Sequence, residues 1–178
     1  MGMESTERPG GVLFKGNPLT LLGPELKVGQ AVPDFAVLAN DLSPLTLAGT
    51  EGVRVFVTVP SLDTPVCDLE ARRFNDEAAL LPGVSVFVVS ADLPFAQARW
   101  CGNAGIKNVA TVSDHRAMSF ADAWGVHIKE LRLLARAVFV VDAAGKLSYF
   151  QLVKEIASQP DFDAALAAIR QVRTVSRR

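Results

Sequence analysis

Two short runs of β-branched and aromatic residues, joined by a helical pattern, constrain the fold of this chain most strongly. The runs are Val53–Val59 and Val84–Val89, and each is bounded by glycine or proline. Continuous apolar runs of this length are typical of strands that are covered on both faces of a sheet. Residues Pro65–Leu81 between them predict a helix, which completes a β-α-β unit.

The elements around this unit predict a thioredoxin-like α/β fold, in which helices flank a central mixed β-sheet. Ahead of the unit, residues 11–22 predict a β-hairpin extension, and a second strand pair follows at Phe35–Leu38 and Leu45–Leu47. After the unit we expect a helix at Pro94–Trp100 and a strand at Val109–Val112. A β-hairpin should follow at Ala137–Val141 and Leu147–Val153, and then an amphipathic helix at Phe162–Val172 with Asp161 as its N-cap.

Length and composition predict a single globular domain, because the chain has 178 residues, 49% of them apolar and 21% charged. We expect residues 1–24 to form a tail and the β-hairpin, and residues 25–174 to form the thioredoxin-like domain. The arginines at the C-terminal end are interpreted as a solvated tail: Arg170, Arg173, Arg177 and Arg178.

Charge and hydropathy exclude several kinds of partner. The formal net charge of −1 leaves no basic excess to neutralise nucleic acid phosphates. No apolar run approaches the roughly 18–20 residues that span a bilayer, and the charged N-terminal residues do not resemble a secretory signal. Two cysteines are too few for a disulfide scaffold and fit a reducing compartment. We therefore predict a cytoplasmic protein that binds neither nucleic acid nor membrane.

Cys67 follows a helix-start signal. Thr64 is a good N-cap and Pro65 suits the first helical position, which places Cys67 at the third. The free amides of the first turn and the positive end of the helix dipole favour an anion there, and only the thiolate is a nucleophile. Cys67 also shares an apolar helix face with Ala71 and Phe74, so a small core residue is the alternative interpretation. The two interpretations are compatible if the sulfur lies at the floor of a pocket.

Cys101 ends the predicted helix Pro94–Trp100 and is followed by Gly102 and Gly105, which mark a helix end that frays easily. A buried cysteine near a helix end is the alternative. The two cysteines are 34 positions apart. In the entropic model a disulfide closing a loop of that length contributes roughly 3–4 kcal/mol.

A zinc site would be a competing use of Cys67 and Cys101 together with His115 and His127. Their spacing lacks the closely spaced ligand pairs of structural zinc sites, so we expect no metal. The two histidines are interpreted as surface or hydrogen-bonded structural residues.

Arg136 lies immediately before the apolar strand Ala137–Val141. An arginine at a strand entrance is usually solvated. The functional alternative is a fixed cation beside a thiolate, where it would stabilise the thiolate and any developing oxyanion.

The sequence Pro60-Ser-Leu-Asp-Thr-Pro-Val-Cys67 resembles the Pro-x-x-x-Thr-x-x-Cys active-site pattern of the peroxiredoxins. Together with Ser90–Gly102, Ser113–Arg116 and Leu134–Val138, it is similar to one branch of that family, the bacterial thiol peroxidases, which are atypical two-cysteine peroxiredoxins. The resemblance extends from about Gly16 to Ile169 and shows no departure at a motif position.

This resemblance implies a role for each motif residue. Cys67 would be the peroxidatic cysteine, which attacks the peroxide O–O bond and becomes a sulfenic acid. Thr64 would hydrogen-bond the sulfur and the peroxide oxygen, Pro60 would shield the site from water, and Arg136 would hold the thiolate and polarise the peroxide. Cys101 would be the resolving cysteine, and thioredoxin would reduce the intramolecular Cys67–Cys101 disulfide.

The resemblance also implies a homodimer that reduces hydrogen peroxide and alkyl or lipid hydroperoxides in antioxidant defence, with no metal, haem or flavin cofactor. In the reduced fold the two sulfurs need not be within disulfide reach. We therefore expect the first turn around Cys67 and the end of the Cys101 helix to unwind together during turnover.

Two other functions stay open at this point. A thioredoxin-fold redox sensor would use the same residues but would oxidise slowly and pass its disulfide to a regulator. A structural domain with two buried thiols would not react with peroxide at all.

Overall fold

The computed structural model describes residues 6–175, and these residues form strands and helices in alternation after an N-terminal series of strands. The strands are β1 (Glu7–Phe14), β2 (Asn17–Leu22), β3 (Ala36–Leu38), β4 (Pro44–Thr46), β5 (Val53–Thr58), β6 (Val84–Ser90), β7 (Ala110–Ser113), β8 (His127–Ile128), β9 (Leu133–Leu134), β10 (Ala137–Val141) and β11 (Leu147–Leu152). The α-helices are α1 (Pro65–Ala78), α2 (Pro94–Ala104), α3 (Ser119–Ala123) and α4 (Phe162–Val175), and a short 3₁₀ turn covers Leu47–Gly49.

The described strands form one large mixed sheet and one small antiparallel sheet. The large sheet has the order β11-β10-β5-β6-β7-β3-β4. Strands β5, β6 and β7 are parallel at its centre, and β10 and β3 pair antiparallel with β5 and β7. The small sheet has the order β1-β2-β8-β9. This arrangement confirms the predicted thioredoxin-like fold with an N-terminal β-hairpin.

A hydrophobic core lies on each face of the large sheet, which explains the continuous apolar runs in the sequence. Phe56 of β5 belongs to an aromatic core with Phe35, Phe120 and Trp124. The alternate residues of β5 belong to a valine-rich core under α1 and α4, which includes Cys67. Because both faces are covered, every residue of β5 is buried.

Three predicted helix ends are wrong, and one of them is that of α4, which continues to Val175 rather than ending at Val172. Helix α1 ends at Ala78 rather than Leu81. Helix α2 continues through Cys101 to Ala104, so Cys101 lies inside the helix rather than after it. Gly105, at φ +66°, is the C-cap, and its amide donates to the carbonyl of Cys101. Gly102 is part of the helix, which glycine weakens but does not end.

The sequence analysis missed three short elements, α3, β8 and β9, because segments of two to five residues carry no measurable periodicity. Strand β8 pairs with β2 and thereby attaches the N-terminal hairpin to the rest of the fold.

Residues 1–5 of the predicted N-terminal tail lie outside the described residues, as do Arg177 and Arg178. The prediction of a tail is wrong for the rest, since β1 already begins at Glu7 and Arg170 and Arg173 belong to α4. None of the helices formed by residues 6–175 combines the length and apolar composition needed to cross a membrane.

Candidate active site

The first turn of α1 holds Cys67 as the sequence predicts. Thr64 is the N-cap in an extended conformation, Pro65 follows it, and the Thr64 Oγ1 accepts from the amide of Cys67 at 3.4 Å. The same hydroxyl donates to the carbonyl of Ser61 at 3.1 Å, so Thr64 links the preceding loop to the helix. The side chain of Cys67 is 0% exposed and contacts the valine-rich core.

Arg136 is buried beside Cys67, so of the two interpretations of this arginine the solvated one is wrong. It is only 1% exposed, and its Nη2 donates to the sulfur of Cys67 at 3.1 Å. Its Nε and Nη2 also donate to the carbonyl of Ile156, at 3.1 and 3.0 Å. The guanidinium is therefore held on both sides, with one donor directed at the thiol. A fixed positive charge at this distance can stabilise negative charge on the sulfur or on an oxygen bound next to it.

Glu70 completes the buried cluster, and the sequence analysis missed it. Its Oε2 accepts from Arg136 Nη1, and the side chain is fully buried. Burial raises the pKa of Glu70 from 4.5 to about 7, although the charge and hydrogen bond of Arg136 act in the opposite direction. Its Oε1 has no hydrogen-bond partner among the described residues. The available signal was a carboxylate three positions after Cys67 on the apolar face of α1.

The N-terminal hairpin supports the loop that positions Arg136. The amide of Leu13 donates to the carbonyl of Lys154, and the amide of Ile156 donates back to the carbonyl of Leu13. The carboxylate of Glu155 accepts from the amides of Lys15 and Gly16 at the turn of the hairpin. Ile156 then offers its carbonyl to the guanidinium. The hairpin thus orders a loop that contacts the active site.

Pro60 is buried directly after β5, and the loop that follows it is held by Asp92. The carboxylate of Asp92 accepts from Ser61 Oγ at 2.7 Å, from the Leu62 amide at 2.8 Å and from Ser90 Oγ at 2.8 Å. Because the Ser61 carbonyl in turn accepts from the Thr64 hydroxyl, this carboxylate helps to position the loop that leads to Cys67. Asp92 was quoted only as part of a motif and not recognised as a site residue.

Cys101 lies apart from this cluster, on the side of α2 that faces β7. Its sulfur is 3.3 Å from Thr111 Oγ1 and 4.0 Å from Asn40 Nδ2. Arg136, which contacts Cys67, precedes β10, whereas Thr111, which contacts Cys101, is on β7. These two strands are three positions apart in the large sheet, a separation of about 14 Å. Both cysteines are free thiols. An S–S bond of about 2 Å therefore requires at least one of them to leave its partners.

The four residues weighed as zinc ligands do not form a group. Among residues 6–175, no three His, Cys, Asp or Glu side chains come together as a metal site. His127, the first residue of β8, is instead paired with Asp122 of α3, with Nδ1 2.6 Å from Oδ1.

Comparison with known proteins gives consistent matches over most of the chain. The family model described as Redoxin matches residues 27–166. A thiol peroxidase of Halalkalibacterium halodurans is 56% identical over 160 residues, which cover 89% of this chain and 96% of that protein. A thiol peroxidase of Bacillus subtilis is 54% identical over 160 residues, again covering 89% and 96%.

Solved structures show the same similarity. A peroxiredoxin-like protein from Aquifex aeolicus superposes with a TM-score of 0.86 at 46% identity and covers 90% of this chain and 96% of its own. A thiol peroxidase from Chromobacterium violaceum gives a TM-score of 0.83 over 92% of this chain and 97% of its own. At 22% identity, the second match supports the fold alone.

Proposed function

Because this chain belongs to the redoxin family, and within it to the thiol peroxidases, we propose that it reduces hydroperoxides with Cys67 as the nucleophile and Cys101 as the resolving cysteine. Membership of this family makes the chain a peroxidase, an oxidoreductase. The assignment of individual residues and of the reductant is our proposal.

The contact between Arg136 and Cys67 carries the proposal. Two fully buried groups are 3.1 Å apart, one a permanent cation and the other a thiol at the N-terminus of a helix. In the reaction the Cys67 thiolate attacks one peroxide oxygen, so that an S–O bond forms while the O–O bond breaks. The departing oxygen takes a proton and leaves as water or an alcohol, and Cys67 is left as a sulfenic acid. Charge that develops on the peroxide oxygens lies next to the guanidinium, which stabilises it.

The remaining site residues would support this step. Thr64 places a hydroxyl next to the Cys67 amide, and its orientation is fixed by Ser61. Pro60 is buried beside the same loop, where its ring excludes water and has no amide hydrogen to offer.

Resolution requires the two cysteines to meet. Trp100 Nε1 donates to Asp68 Oδ1 in the first turn of α1 at 2.7 Å. Arg72 Nη1, one turn further along α1, donates to the carbonyl of Ala104 in the last turn of α2 at 3.3 Å. We propose that these two turns unwind together when the disulfide forms. Equal amide hydrogen exchange in both segments of the reduced and the oxidised protein would contradict this.

The intracellular setting stays a prediction from the low cysteine content. Thioredoxin as the reductant, alkyl or lipid hydroperoxides as substrates and a homodimeric state are proposals that follow from family membership.

The proposed function is tested by counting free thiols. Reduced protein is mixed with one equivalent of hydroperoxide, and the thiols are counted after several minutes. We expect none to remain in the parent chain. Two remaining thiols would refute both the peroxidase and the redox-sensor function. A steady-state rate of peroxide consumption with thioredoxin then separates a peroxidase from a slow sensor.

The Cys101→Ser variant tests the second cysteine. We expect it to react once with peroxide through Cys67 and then to stop turning over with thioredoxin. An unchanged steady-state rate would show that Cys101 is not the resolving residue.

A further inference from the structure

Cys101 is one of three side chains that form a closed hydrogen-bonded ring. Thr111 Oγ1 lies 3.3 Å from the Cys101 sulfur and donates to Asn40 Oδ1 at 2.9 Å. Asn40 Nδ2 lies 4.0 Å from the same sulfur. Thr111 is 3% exposed, and the other two are half-buried on the wall of a cavity of about 500 Å³.

The direction of the hydrogen bonds in the ring follows from the available protons. The Thr111 hydroxyl has one proton, and it is given to Asn40. Towards Cys101 the same oxygen is therefore an acceptor, and the thiol must be the donor. Asn40 then points an amide N–H towards the sulfur, which closes the ring. Each group donates to the next, an arrangement that strengthens every bond in it.

The ring connects the end of α2, which unwinds easily, to two residues held by the large sheet. Thr111 is on β7, and Asn40 lies in the turn two residues after β3, the strand that pairs with β7 in the large sheet. Cys101 is in the last turn of α2, close to Gly102 and the Gly105 cap. Opening the ring therefore releases the end of α2 and leaves the sheet in place.

We propose that Thr111 and Asn40 are positioning residues that retain Cys101 as a neutral thiol in α2 and so limit the rate of disulfide formation. This rests on the proposed role of Cys101 as the resolving cysteine. For resolution, the Cys101 sulfur must lose its proton and attack the sulfur of the Cys67 sulfenic acid. The S–S bond forms, the S–O bond breaks, and the hydroxide leaves as water after taking a proton. A thiol that donates to Thr111 cannot begin this step until the ring opens.

The ring also sets the competition between two fates of the sulfenic acid. While Cys101 is retained, a second hydroperoxide can oxidise the sulfenic acid of Cys67 to the sulfinic acid, which thiols do not reduce. Slower release of Cys101 therefore means greater loss of activity at high peroxide.

Thr111→Val tests the proposal, with Thr111→Ser as its matched control. Valine fills the same volume without the hydroxyl, whereas serine keeps it. In rapid-quench experiments, each reduced protein is mixed with hydroperoxide, acid-quenched and alkylated, and the sulfenic acid, disulfide and sulfinic acid are counted by mass spectrometry. We expect Thr111→Val to form the disulfide about fivefold faster, the effect of losing one hydrogen bond of about 1 kcal/mol. It should also accumulate less sulfinic acid.

Thr111→Ser should form the disulfide at the rate of the parent chain, and the second-order oxidation of Cys67 should be the same in all three proteins. Equal disulfide rates in the valine and serine variants, or a slower rate with valine, would overturn the proposal. Failure of the underlying function is a different result, since the parent chain itself would then form no disulfide.

Discussion

Replacing Glu70 by glutamine changes how the stability of the fold depends on pH. The carboxyl is fully buried and paired with Arg136. Burial raises its pKa from 4.5 to about 7, against the opposing effect of Arg136. The native state therefore binds the proton more tightly than the unfolded chain. The stability that this provides is complete below about pH 4.5 and is lost as the pH rises through 7.

The size of the effect follows from the shift. Between pH 5 and pH 8 the titration of Glu70 alone lowers the free energy of unfolding of the parent chain by roughly 2–3 kcal/mol. Glutamine does not titrate, so Glu70→Gln lacks this loss. The constant cost of burying an amide in place of the carboxyl is the same at every pH and cancels in the comparison. Relative to the parent, the free energy of unfolding of the variant should gain roughly 2–3 kcal/mol over this range.

Urea unfolding of the reduced proteins at pH 5, 6, 7 and 8 measures this difference. Asp114→Asn is a control, because burial raises the pKa of Asp114 to about 6, against the hydrogen bonds from the Ala121 and Phe120 amides. Its difference from the parent should largely level off above pH 6, whereas that of Glu70→Gln should continue to change to about pH 7. A Glu70→Gln difference that is constant from pH 5 to pH 8 would refute the reasoning.

Two further substitutions test the positioning of the site. The first is Arg136→Met, made in the Glu70→Gln background so that no buried carboxylate is left unpaired. It should slow the reaction of Cys67 with hydroperoxide at least 100-fold relative to Glu70→Gln alone. Stopped-flow rates of the two proteins within threefold of each other would contradict this. Asp92→Ala removes the hydrogen bonds from Ser61 and Leu62 that hold the loop before Cys67 and should slow the same reaction about tenfold. The exposed Asp63→Ala on that loop is its control, and equal rates would exclude positioning by Asp92.

Local signals predicted the parts of the protein that depend on neighbours in sequence. The Thr64-Pro65 cap and the place of Cys67 in the first turn follow from a few consecutive residues, and the structure shows them as predicted. The β-α-β unit followed from strands with two buried faces, because such strands must be apolar throughout. The end of α2 was misplaced, because Gly102 and Gly105 are both possible helix ends and only backbone geometry distinguishes them.

Burial of charged groups was the main feature that sequence reasoning did not find. From its position alone Arg136 was usually to be expected in solvent, its place beside the thiolate was implied only by the family resemblance, and Glu70 was not considered. They lie 66 positions apart, and each is buried only because the other is present. No pattern along one strand or one helix reports such a pair. The same holds for Asp92, whose hydrogen-bond donors on the loop are 30 and 31 positions away.

The sequence by itself predicted the fold class and the family and singled out the two cysteines as candidate site residues. Strand composition, helix caps and motif spacing depend only on residues that are close together in the sequence. Only the tertiary structure decided which charges surround Cys67 and which groups retain Cys101. Arg136 contacts Cys67 and is itself held by Glu70 of α1 and by the carbonyl of Ile156, whereas Asn40 and Thr111 contact Cys101 from a turn and from β7. Hydrogen bonds act over about 3 Å, so these contacts exist only once the chain has brought distant segments together.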